Sequence, residues 1–243
     1  MTNQRLDSSS STVPKTSASP SSNQKSDDIK IISTSSSFSW NNNNNNNNNS
    51  NHDWWIDQVL EIQKLNHKFE LTDETEMDQQ GFVTVRHTKS DLQDMAKYCP
   101  QFLAIVVDND SNPYPKVVGY TFTINSQALA ECPNLATINK TWFDMVLDVL
   151  SSSESNLKDM KWVLGAQVCV SKDYRRKGLL QKLYNQQFND LQSSANVDAI
   201  VTAVDHANVP SLKAHTKANF TTLKKSNTGG KNTTGWSLII KTS

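Results

Sequence analysis

The chain is poor in several things that would declare a function at once. It has three cysteines, Cys99, Cys132 and Cys169, and no Cys-x-x-Cys pair. An odd and sparse set does not make a disulfide framework and fits a reducing compartment. Net charge is absent, since 24 basic residues balance 24 acidic ones. Bulk attraction to nucleic acid or to an acidic membrane surface therefore has no support. The histidines show no metal-ligand spacing, so no metal is expected. No apolar leader opens the chain and no apolar run is long enough to span a bilayer. Together these absences predict a soluble intracellular protein, cytoplasmic or nuclear, with sequons such as Asn139-Lys140-Thr141 left unused.

What is present suffices for one sizeable domain plus a tail. Residues 1–27 are Ser, Thr, Asn, Gln, Pro and Lys with little that is apolar. They cannot bury enough surface to offset ordering entropy and are expected to be a disordered tail. Ile29 to Ile32 is a short strand candidate. A Ser-rich stretch and nine consecutive asparagines, Asn41 to Asn49, follow it. Two readings stand. Either everything before Asp53 is tail, or Ile29 to Ile32 is the first strand of a domain over 28–243 and the Asn-rich segment at 34–52 is an insertion. The second is preferred, because long loops cost little.

From Asp53 onward the periodicity is readable. Asp53 can cap a helix carrying Trp54, Trp55, Val59, Ile62 and Leu65. Phe82 to Val85 reads as a strand and Asp91 to Lys97 as a short helix. Leu103 to Val107 and Val117 to Ile124 read as a hairpin around turn formers at 108–113. Ile138, Trp142, Met145, Val146 and Val149 or Leu150 mark a helical stripe. It predicts a packing helix or a wall for a substrate site. Asp198 to Val204 reads as a buried strand. Phe220 to Leu223 and Trp236 to Ile240 read as a closing hairpin.

The stretch Trp162 to Leu191 organises the rest. A strand over 162–170 runs into the basic turn Tyr174-Arg175-Arg176-Lys177-Gly178. A helix over 177–193 follows, with Leu179, Leu180, Leu183, Tyr184, Phe188 and Leu191 on one side. Strand, glycine turn and helix is an arrangement that holds a phosphate on free backbone N–H groups and a positive helix end. Two buried strands joined by a helix imply a parallel βαβ unit. The run Arg175-Arg176-Lys177 is too short and isolated, with no interleaved aromatics, for a nucleic-acid patch.

Arg175 to Leu180 resembles the Gln/Arg-x-x-Gly-x-Gly/Ala motif of GNAT-type N-acetyltransferases, with Leu180 in place of the last small residue. Val117-Val118-Gly119-Tyr120 is similar to the third strand of that family. Asn208 to Phe220 resembles its Asn-x-x-Ala/Ser-x-x-x-Tyr-x-x-x-Gly-Phe segment: Asn208, Ser211 and Phe220 match, His215 stands for the Tyr and Asn219 for the Gly. Gly165 to Val170, followed by the Arg turn, also looks like a poorly characterised subgroup of small GNAT proteins. The resemblance covers residues 81–240.

It implies an α/β GNAT fold: a mixed, mostly antiparallel sheet with a central splayed parallel strand pair and helices on both faces. It implies an N-acetyltransferase that moves an acetyl group from acetyl-CoA, its cosubstrate, to an amine of a small molecule or protein. On this reading Val168, Cys169 and Val170 flank the acyl-CoA. Arg175, Arg176, Lys177, Gly178 and Leu179 hold its pyrophosphate, Asn208 meets its pantetheine arm, and Ser211 belongs to the same cofactor site. Cys169, in an apolar strand, is expected as a core residue rather than a nucleophile. His215 would be the general acid and Asp205, with His206, a proton relay. The expected assembly is a monomer or homodimer. Two rival readings stand beside it: a CoA-binding module without turnover, and an interaction protein acting through its Asn-rich arm.

Overall fold

The structure is a computed structural model, and it describes residues 28–33, 53–68, 70, 81–107, 114–152, 156–226 and 235–242. The tail at 1–27, the asparagine tract, the turn at 108–113 and the Gly229-Gly230 loop lie outside these residues.

Among them, seven strands form one sheet: β1 (Ile29–Ser33), β2 (Gln101–Val107), β3 (Lys116–Ile124), β4 (Trp162–Val170), β5 (Ala199–Asp205), β6 (Thr221–Ser226) and β7 (Trp236–Thr242). Their order is β1-β2-β3-β4-β5-β7-β6. Every neighbouring pair is antiparallel except β4–β5, which is parallel. The strand read at Ile29 to Ile32 is therefore real: it pairs along β2 from Ile29↔Val107 to Ser33↔Leu103.

The helices are α1 (Trp54–Leu65), α2 (Lys89–Tyr98), α3 (Ser126–Glu131), α4 (Pro133–Ser151), α5 (Leu179–Ala195) and α6 (Val209–Lys217). Strand alternation decides which face each one covers. Phe102, Ala104 and Val106 of β2 face a core shared with Trp55 and Ile56 of α1, Leu92 and Met95 of α2, and Leu135, Val146 and Leu150 of α4. The intervening Leu103, Ile105 and Val107 face the other way, against Leu179 and Leu183 of α5. Further along that second face, Tyr184, Phe188 and Leu191 of α5 pack on Val163, Ile200 and Ile239. With both faces covered, β2 is buried along its whole length, which is why it reads as an unbroken apolar run.

Two expectations need correction. Phe82 to Val85 does not form a strand; only Val83 pairs, in an isolated bridge with His67. Its neighbours give their carbonyls to side chains instead, as described below. Trp142, placed on the buried stripe of α4, is 37% exposed, and Asn139 is buried in its stead. Trp142 lies edge-on to Trp236, with ring centroids 5.9 Å apart. Among the described residues no helix is long and apolar enough to cross a membrane.

Candidate active site

The site begins where β4 and β5 part. Their parallel pairing covers only Trp162↔Ala199, Val163↔Ile200 and Leu164↔Val201. Beyond Leu164, β4 follows β3 instead. Gly165 pairs with Thr123 and Gln167 with Phe122, so Ala166 is bulged out between them. Meanwhile β5 follows β7 on to Asp205. The Thr202 hydroxyl donates to the Gly165 carbonyl at 2.6 Å and closes the narrow end of the wedge. Past it, the inner edges of both strands lack a strand partner among the described residues.

The wedge opens into a cleft of about 890 Å³. Val168, Cys169 and Val170 form its β4 wall, and Arg175, Arg176, Gly178 and Leu179 its turn and helix end. Asn208 and Ser211 stand on the opposite side, at the start of α6. Three other expected site residues do not line it: Lys177, His215 and Asp205. Five cationic side chains do, Lys172, Arg175, Arg176, Lys213 and Lys217, and no carboxylate among the described residues joins them.

The turn is built to leave donors free. A 3-10 turn (Lys172–Tyr174) ends β4, and then Arg176 and Gly178 both take left-handed backbone, at φ 62° and φ 73°. Gly178 is the N-cap of α5 and has no side chain to cap it. The first bond back onto it comes from Lys182 N–H, at 3.1 Å, so the N–H groups of Leu179, Leu180 and Gln181 have no intrahelical acceptor. A β-carbon on Gly178 would meet nothing within 4 Å. Glycine is needed there for its φ, and the space before the helix end is open. The helices α1 and α4 also lack a side-chain cap, whereas others are closed. The N-terminus of α2 is closed by a capping box between Thr88 and Asp91, and that of α6 by the Asn208 side chain. The α5 end is uncapped and opens into the basic cleft, which suits an anion.

Arg175 lines the cleft and also braces it. Its Nε donates to the Val170 carbonyl at 2.8 Å, and its Nη2 bonds the Asn66 side chain at the end of α1. The guanidinium thus pins the turn to both β4 and α1. Arg176 remains exposed at the cleft. Lys177 lays its ammonium over the Tyr174 ring, 4.8 Å from the centroid. Cys169 is buried, and burial pushes its thiol up to about 11 against the pull of Arg175. It stays protonated, as a core cysteine should.

His215 is enclosed. Its Nδ1 donates to the Ser211 carbonyl at 2.8 Å, which leaves Nε2 to accept from the Tyr184 hydroxyl at 3.0 Å. Phe220 closes on its face edge-on, at 5.1 Å. Burial lowers its pKa to about 4, the bond to Ser211 opposing. The ring ties α5 to α6 through its bonds to Tyr184 and Ser211. Asp205 is also engaged: one carboxylate oxygen pairs with Lys68 Nζ at 3.0 Å and the other accepts from Ala207 N–H at 2.9 Å. His206 bonds the Ser237 hydroxyl at 3.0 Å.

One wall has no forerunner in the motif reading. Gly81, Phe82 and Val83 line the cleft as a strap across the wedge. Asn208 Nδ2 donates to the Phe82 carbonyl at 2.7 Å, while Asn208 Oδ1 accepts from Ser211 N–H at 3.3 Å. Both atoms of that side chain are thereby committed to protein. Val83 N–H bonds Asn66 O at 2.9 Å, and Gln167 Nε2 donates to the Val85 carbonyl at 2.9 Å. The strap so joins the β5 side to the β4 side. The glycine at 81, just before an apolar run, was the available signal. Lys213 and Lys217 were equally readable as a helical stripe with Pro210 and Ala214.

A second, smaller cleft of about 550 Å³ lies between α1 and Arg86–Thr88. Its walls mix Asp57 and Glu61 with Lys64 and Arg86, so it favours neither charge. Among the described residues no cluster of His, Cys, Asp and Glu could hold a metal ion.

No family profile and no curated protein matches the chain in sequence. Solved structures do. A protein of Acinetobacter baylyi ADP1, provisionally assigned as an acetyltransferase, superposes with a TM-score of 0.51 at 14% identity, over 90% of this chain and 94% of that one. An acetyltransferase of the GNAT family from Streptococcus pneumoniae gives 0.47 at 13%, over 88% and 98%. NAA60 of Arabidopsis thaliana, solved in complex with acetyl-CoA, gives 0.47 at 14%, over 71% and 95%. The first of these, with the sheet order and the single parallel pair, assigns the chain a GNAT-type α/β fold.

Proposed function

We propose that the cleft binds acetyl-CoA and that the protein transfers its acetyl group to an amine. The observation that carries this is the meeting of two features. The β4–β5 wedge ends at an uncapped helix N-terminus, and the charged side chains that line the cleft are all cationic. The N–H groups at Leu179 to Gln181 and the Arg176 side chain would take the pyrophosphate. The apolar wall of Val168, Val170, Phe82 and Val83 would take the arm that leads to the thioester.

In the transfer, the amine nitrogen attacks the thioester carbonyl and a C–N bond forms. The C–S bond breaks, the amine loses a proton and the CoA thiolate gains one. A backbone N–H at the unpaired edge of β4 would stabilise the oxyanion. The protons pass to and from solvent in this reading, since His215 and Asp205 are occupied elsewhere. The acceptor is a small-molecule or protein amine.

Calorimetry with acetyl-CoA, followed by release of free CoA thiol over a panel of amines, tests the proposal. Saturable binding with amine-dependent thiol release is expected. Absence of binding would refute it. Binding without thiol release for any amine would instead favour a CoA-binding module, the second reading. The placement of His215 and Asp205 off the cleft is the observation that keeps that reading alive.

A further inference from the structure

We infer that Lys213 and Lys217 hold the ribose 3′-phosphate of the CoA nucleotide, so that the cleft selects CoA over its dephosphorylated form. The inference rests on the acetyl-CoA reading and adds a second phosphate subsite to it.

The cleft has two cationic edges, on different elements. One is the turn with Arg176 at the α5 terminus. The other is α6, whose positions Pro210, Lys213, Ala214 and Lys217 all line the cleft. Those positions recur at i, i+3, i+4 and i+7, so they form one stripe of the helix, and the two ammonium groups stand one turn apart on it. Both lysines are exposed, and neither forms an ion pair among the described residues. No acidic residue occurs between Asn208 and Asn219 to offset them. The commonplace alternative is a solvated helix face, with Lys217 in the last turn favoured by the helix dipole. The dipole favours Lys217 but not Lys213, which lies a turn earlier. It also does not explain why Ala214, small and apolar, sits between them on the cleft wall.

The chemistry of the ligand supplies a match. The pyrophosphate is a linear diester linkage and suits the converging backbone donors of a helix end. The 3′-phosphate is a monoester with a second ionisation, a compact and nearly dianionic group. Compact, mobile ammonium groups bind such a point charge without needing a fixed fork. A nucleotide whose pyrophosphate rests on the turn can place its ribose phosphate on the facing wall of the same cleft.

Calorimetry on the full chain separates the possibilities, with acetyl-CoA and 3′-dephospho-acetyl-CoA as the probes. The parent should prefer acetyl-CoA by about tenfold, and the preference should shrink with added salt. Lys213→Gln/Lys217→Gln should weaken acetyl-CoA to the affinity of the dephospho form and leave the latter as in the parent. Arg176→Gln should weaken both forms alike. Equal binding of the two forms by the parent overturns the inference while leaving the acetyl-CoA reading intact. So does a double variant that keeps the preference, and so does a loss in Arg176→Gln confined to acetyl-CoA. Binding of neither form by the parent overturns both readings together.

Discussion

Gly81 lies so close to Asn208 that a β-carbon on it would stand 2.8 Å from the Asn208 side-chain oxygen. The same glycine holds φ at +71°, where a side chain is strained even in open space. The strap can therefore pass the α6 cap only as glycine, and the cap can hold the strap only as asparagine. Gly81→Ala should cost roughly 1–3 kcal/mol by thermal unfolding. Asn208→Ala should cost about 1–2 kcal/mol, through the lost cap and the lost bond to Phe82. The double variant should be less destabilised than the sum, because Asn208→Ala removes the atom the new methyl meets. Strict additivity would mean that strap and cap are independent.

Gly178 separates strain from charge. Gly178→Ala and Gly178→Glu share the penalty of a β-carbon at φ +73°, about 1 kcal/mol, and neither meets a neighbour. Only the glutamate sets a negative charge before the free N–H groups of α5. Acetyl-CoA affinity should survive in the alanine variant and fall by about a hundredfold or more in the glutamate variant. Equal affinities for the two, by calorimetry, would remove the α5 terminus from the phosphate site.

His215 and His87 should make the protein acid-sensitive. Burial holds both at about 4, with Asp91 pulling His87 the other way. In the unfolded chain they return to about 6.5. Below that pH the unfolded state takes up protons that the folded state refuses. The stabilisation is complete above pH 6.5 and is lost as pH falls toward 4, by up to about 3 kcal/mol per histidine. His215→Phe strands the Tyr184 hydroxyl and should cost about 1–3 kcal/mol at pH 7. It should also flatten the slope of the unfolding midpoint between pH 6.5 and 4.5. Turnover should follow the folded fraction. A fully folded variant without turnover, beside a parent whose rate falls as pH rises through 6 to 7, would return the general-acid role to His215.

Arg175 is predicted to act by geometry. Its planar fork bonds Val170 and Asn66 at once, which an ammonium cannot reproduce. Arg175→Lys should lower the unfolding midpoint nearly as far as Arg175→Ala, with a cost of about 1–3 kcal/mol in each. Full rescue by lysine would show that charge alone matters.

How much of this could be read in advance depended on where the bonding partners lie in the chain. The strands β2, β3, β4 and β5 announce themselves because both faces of the sheet are covered, and each reads as a nearly unbroken apolar run. The turn from Tyr174 to Gly178 and the helix after it were equally plain, since a φ of +73° and a leucine stripe are local demands. The strap was not. Phe82 to Val85 has strand composition, but its carbonyls bond side chains at Asn208 and Gln167, far away in sequence. The bracing bonds of Arg175 were hidden for the same reason: nothing near it in sequence signals Asn66. His215 was half legible: its bond to the Ser211 carbonyl is an i, i+4 contact within one helix, whereas Tyr184 is 31 residues away.

The parting of β4 and β5 gives the sheet an edge in its own middle. Outer edges invite other chains to pair with them, and proteins blunt them with charge, short strands or cover. Here the wedge is too narrow at Leu164 and Val201 to admit a strand, and the strap from Gly81 to Val85 covers part of the opening. What remains exposed is a short row of backbone groups that only a slender, extended ligand can reach. An occupant of that row is also a shield against self-association. Light scattering during slow heating should therefore rise later when acetyl-CoA is present, by more than the accompanying shift in the unfolding midpoint.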